Sequence, residues 1–231
     1  LGGSCQSPYV TGGFTYQQCR KDVSVDLVAG EAIGTAGGPG EGALDLGAID
    51  ADSTLTFVDP GRMTGAGGVH ATCPLSYFVP DVRDSLLARV AVNGIHPTVP
   101  PVCGSVAQDV ANTAQGRWFF DATAHEDHHL ALVHANWDPT IGEFSIGTML
   151  PGTTPTVLMF AAAQTGRVNR DFDLVTADGN IYCYQPTNLI AHVFVQLTAA
   201  TQVKIELVNG TLACGDSTVW SFSGAAATFS R

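Results

Sequence analysis

Lysine is almost missing from this sequence, occurring only at Lys21 and Lys204. Charged residues make up 13% of the 231 positions, against about 25% in an ordinary soluble domain. Ten are basic and 21 acidic, for a formal net charge of −11. No basic patch can be assembled from so few cations, which argues against nucleic acid or an anionic membrane as a partner. Divalent cations, or partners carrying basic groups, match the sign better. No apolar run reaches the ~18 residues that a transmembrane helix needs.

Several catalytic signatures are missing too. There is no G-x-S-x-G elbow, no H-E-x-x-H, no C-x-x-C, and no glycine-rich loop ending in Lys-Ser/Thr. The five glutamates, Glu31, Glu41, Glu126, Glu143 and Glu206, stand in no pattern that brings two carboxylates together, as glycoside hydrolysis requires.

Six cysteines are present: Cys5, Cys19, Cys73, Cys103, Cys183 and Cys214. An even number at wide, irregular spacing suits disulfides in an oxidising compartment and not a zinc or haem site. Six cysteines allow 15 pairings, among which the sequence does not choose; the pairing expected is between neighbours along the chain: 5 with 19, 73 with 103, and 183 with 214. Localisation is expected to be secreted, extracellular or on the cell surface. The opening "LGGSC" carries no charged and apolar leader, as a chain whose signal peptide has been removed would look.

Strand signals dominate. Residues 23–30, 53–59, 128–136, 191–197 and 202–210 are short, rich in β-branched or aromatic residues, and bounded by turn formers. One helical stripe, over 80–94, starts well with Pro80 and Asp81. Residues 84–98 resemble residues 127–140: "DSLLARVAVNGIHPT" and "DHHLALVHANWDPT" share an order of residues, which predicts a strand over 86–92. The fold class expected is all-β, an antiparallel sandwich of jelly-roll type with little helix. Two tandem sandwiches are preferred on size: 1–104 and 117–231, with 105–116 as a candidate linker. A single domain over 1–231 is the alternative.

The stretch "AHEDHH" (124–129) is the one concentrated cluster of ligating side chains. If its loop curls, His125, Glu126, Asp127 and His128 or His129 could hold one ion. Imidazole with carboxylate suits zinc or copper, and carboxylate with backbone oxygen suits calcium. His134 lies six residues beyond His128, roughly 20 Å along a straight strand, and is placed out of reach. The competing reading is a polar connection between two strands. Asp45, Asp50 and Asp52 form a second acidic loop that resembles a calcium loop only loosely.

Few charges and two lysines leave sheet edges poorly guarded. The function expected is therefore non-catalytic: a structural or binding protein acting in surface adhesion, or in self-assembly through strand edges, as a homo-oligomer or with a surface partner. The alternative is a metal- or carbohydrate-dependent enzyme or binding module centred on residues 125–129.

Overall fold

The computed structural model describes residues 3–11, 14–17, 19–21, 24–26, 28, 30–32, 46–63, 68–121, 128–210 and 213–231. The chain forms two compact units, 1–45 and 46–231.

In the first unit, β1 (Ser4–Cys5) pairs antiparallel with β4 (Cys19–Arg20), and β2 (Tyr9–Thr11) pairs with β3 (Phe14–Tyr16). Cys5 stands directly opposite Cys19, and the two are bonded. So short a sheet has little apolar surface to bury, and the crosslink supplies what packing cannot. The strand expected over 23–30 does not form in its described residues. Val25 and Val28 are 64% and 74% exposed there: β-branched side chains make a strand only where a ladder and a packed face receive them.

The second unit begins with β5 (Ala48–Ile49), paired with β6 (Ala71–Thr72). The strand expected over 53–59 is irregular chain instead. Its Phe57 packs on a neighbouring sheet face and does not join a ladder. The helix α1 (Pro80–Leu87) follows, with Pro80 at its first turn and Asp81 near the positive end of its dipole. The strand expected over 86–92 is absent, because α1 takes the first two of those residues. Only Val92 bridges, across a tight turn to Ile95. Asn93 and Gly94 both take positive φ there, which is what Asn-Gly supplies to such a turn.

The rest is one eight-stranded antiparallel sheet, nearly closed into a barrel. Its strands are β7 (Gly116–Phe119), β8 (His129–Ala135), β9 (Asp138–Ile146), β10 (Thr156–Ala161), β11 (Tyr182–Tyr184), β12 (Ala191–Ala199), β13 (Gln202–Asn209) and β14 (Ala227–Ser230). They follow chain order around the sheet, and β14 returns to β7 through the pair Ser230–Phe119. Between β10 and β11, the backbone N–H of Thr187 donates to the carbonyl of Met159 at 2.7 Å, and the Asn188 side chain donates to that of Val157 at 2.8 Å. The antiparallel all-β class expected from the sequence is what forms, with an up-and-down order of strands. Residues 105–116, expected as a candidate linker, lie within the second unit.

Strict alternation fills the interior. Trp118, Leu130, Leu132, Phe144, Phe160, Tyr184, Val193, Val195, Val203, Ile205 and Phe229 all point inward and are 1% exposed or less. An eight-stranded barrel is just wide enough for side chains to fill. Phe144, Phe160, Phe172 and Tyr184 meet at 4.8–5.5 Å between ring centres. Gly142 makes the room: a Cβ there would lie 2.2 Å from the Phe160 ring. The remaining disulfides are Cys73–Cys103 and Cys183–Cys214, so all three pairs match the nearest-neighbour expectation.

Candidate functional site

Alternation that sends apolar side chains inward sends the others out. On β7, β8 and β9 the outward residues include Arg117, Phe119, His129, Ala131, Val133 and Glu143. The ladder sets Arg117 beside Ala131, Phe119 beside His129, and Val133 beside Glu143. Residues 57–63, 68–71 and 105–109 arch over this face and enclose a cleft of about 500 Å³. Its floor is Ala131 and Val133, which are too small to fill it.

Asp109 fastens the arch to the sheet. One carboxylate oxygen accepts from the N–H of Val58 and the other from the N–H of Arg117, both at 2.9 Å. Gly116 allows this approach: its φ is +131°, and a Cβ would sit 2.5 Å from Asp109. Gln108 forms a second tie. Its amide oxygen accepts from the N–H of His134, and its nitrogen donates to the His134 carbonyl, so a side chain continues the ladder where β8 and β9 slip register.

Arg62 comes down from the arch onto Phe119, its guanidinium carbon 4.1 Å from the ring centre. It donates to the Ser230 carbonyl and hydroxyl and to the Asp121 carbonyl. Arg117 lies 5.5 Å from the same ring, and its buried Nε has no acceptor among the described residues. Across the cleft, Glu143 is half-buried, and burial alone pushes its carboxyl above the usual range.

His134 also lines the cleft. Its Nε2 lies 2.7 Å from Asp171, whose other oxygen accepts from Gln164. The hydrogen bond to Asp171 raises the imidazole's affinity for its proton against the effect of burial. Burial pushes the Asp171 carboxyl up, but His134, Gln164 and a backbone N–H together outweigh it and hold the group low. Nearby Asp173 is raised by burial and by the Asp171 charge.

Of the expected ligand cluster, His125, Glu126 and Asp127 lie outside the described residues, as does Asp45 of the second acidic loop. His128 pairs its Nδ1 with Asp121 at 2.9 Å, and His129 lines the cleft. Asp50 accepts from the Asp52 N–H and from the Tyr77 hydroxyl, which holds its carboxyl low, so it braces a turn. Among the described residues no three ligating side chains converge on one point. His134 is bonded to Asp171, a partner far along the chain.

Sequence reasoning missed Arg117, Asp109 and the pairing of His134 with Asp171. A charge inside a strand is a signal in so charge-poor a chain, and it could have marked Arg117 and Glu143. Nothing local announces the bonds across the cleft. The chain matches no known family model, and no curated protein or solved structure is detectably similar to it.

Proposed function

We propose that the chain is an extracellular, non-catalytic binding domain that engages its ligand on the outer surface of the barrel. The observation that carries this is the filled interior: Trp118, Phe144, Phe160, Phe172 and Tyr184 occupy the space where an open barrel would hold a ligand. What remains for recognition is outside, where the cleft over β7–β9 collects polar groups in a concave, partly apolar setting. Three disulfides and no free thiol among the described residues support an oxidising compartment.

Adhesion and self-assembly belong to the same non-catalytic class. Near-closure of the sheet favours binding over assembly through strand edges. β14 is paired to β7, and part of the β10 edge is taken by Thr187 and Asn188, so little ladder is left for an incoming strand. Light scattering on the native protein at high concentration tests this: a monomer is expected, and ordered fibres would return the chain to the assembly class. Alkylation without reductant is expected to add no label to the secreted material.

A further inference from the structure

Acids outnumber bases two to one in this chain, yet Arg62 and Arg117 have no carboxylate partner among the described residues. Both stand at the Phe119 ring and line the same cleft. Asp109, the one acid besides Glu143 in the described lining, spends both oxygens on backbone N–H groups. Gly116 marks how close it also lies to Arg231: a Cβ there would meet Asp109 at 2.5 Å and the Arg231 guanidinium at 2.8 Å. A guanidinium taken partly out of water without an anion is costly, and its donors fit a carboxylate in two places at once. On the far wall Glu143 has the opposite need, a carboxyl with no donor among the described residues, driven toward its protonated form by burial. Neighbouring strands are about 4.8 Å apart, so the backbones of β7 and β9 lie roughly 10 Å apart across Ala131 and Val133. Two walls of opposite charge over an apolar floor call for a ligand with opposite ends.

We infer that the cleft binds a small organic acid, its carboxylate held by Arg117 under the charge of Arg62 and a hydrogen-bond donor at its other end held by Glu143. Sugar acids and short peptides share this chemistry, with a hydroxyl or an ammonium as the donor. The inference deepens the binding-domain reading and rests on it.

The test titrates the native protein with galacturonate, diglycine, acetate and uncharged galactose, following the Arg117 Nε–H signal by NMR and heat by calorimetry. Galacturonate or diglycine is expected to shift that signal and saturate, while galactose does not. Binding by galacturonate alone identifies a sugar acid, and binding by diglycine alone a peptide end. Arg117→Gln is expected to weaken the binding about tenfold or more, with Arg117→Lys between the two because it keeps charge but loses the fork. Glu143→Gln should weaken it a few-fold and leave the Arg117 shift in place. Circular dichroism checks that each variant is folded. The inference is overturned if no carboxylate moves the Arg117 signal, if galactose binds as well as galacturonate, or if folded Arg117→Gln binds like the native protein. Fibre formation in the scattering experiment would instead remove the binding-domain reading, whatever these titrations give.

Discussion

Two parts of the barrel's outer face are covered, and the covers differ. Over β12 and β13, residues 214–226 lay Trp220 and Phe222 against Phe194, with ring centres 6.1 and 6.4 Å apart. Cys183–Cys214 anchors this strap, Arg167 caps the Trp220 ring at 4.8 Å, and Glu206 is tied to the Ser223 N–H at 2.7 Å. Over β7–β9 the cover leaves about 500 Å³ open. Aromatic rings meeting aromatic rings close a face. Small floor residues between Arg117 and Glu143 do not, because an apolar cover pressed onto those walls would strand two charges. The closed face contributes stability, and the open one has room for a ligand.

The largest effect should come from beneath both faces. Phe144→Ala removes a ring that touches Phe160, Phe172 and Tyr184, and is expected to cost about 3–5 kcal/mol in urea unfolding. Loss below 1 kcal/mol would mean that the interior is not a single packed core. Replacing Cys183 and Cys214 together by Ala should cost about 2–4 kcal/mol and shift Trp220 fluorescence to the red as the strap loosens. Unchanged fluorescence would show that aromatic packing alone closes that face.

Asp171→Asn should cost about 2 kcal/mol, since it weakens the charge-assisted hydrogen bond to His134. The sign with pH follows from both partners. His134 holds its proton more tightly when folded, so its contribution is full below about pH 6.5 and is lost as pH rises through the raised value. Asp171 contributes above about pH 4 and is lost as pH falls through its lowered value. The difference in Tm between native and Asp171→Asn protein should therefore peak between these limits and shrink on either side. A flat difference would break the assignment.

Glu143→Gln is the smallest change and has the opposite sign. A carboxyl raised by burial loses stability as pH climbs through its titration, so the amide should gain less than about 1 kcal/mol at pH 7 and nothing at pH 3. A loss at pH 7 would mean that Glu143 has a partner in solution, and that its wall does not lack a donor.

Much of the barrel was legible along the chain. Residues 128–136, 191–197 and 202–210 carry the alternation that becomes β8, β12 and β13. Residues 53–59, strand-like in composition, and 86–92, read as a strand from their likeness to the later segment, are not strands, because propensity is a preference for a packed, paired surface, and partners are chosen elsewhere in the sequence. The histidine-rich stretch drew attention for its composition. Of that stretch, His125, Glu126 and Asp127 lie outside the described residues, His128 meets Asp121, and His129 stands in the cleft wall.

Composition and spacing by themselves determined the all-β class, the lack of a basic surface and an even set of six cysteines suited to crosslinking, since alternation, charge balance and residue counts are properties of the chain read in order; which cysteines pair, among 15 possibilities, was settled by the fold. Only the tertiary structure decided that the sheet nearly closes, that its interior fills, and that Arg62, Arg117 and Glu143 face one cleft. Those outcomes depend on register between distant strands and on which outward face an arch covers, and both are settled by contacts between residues far apart in sequence.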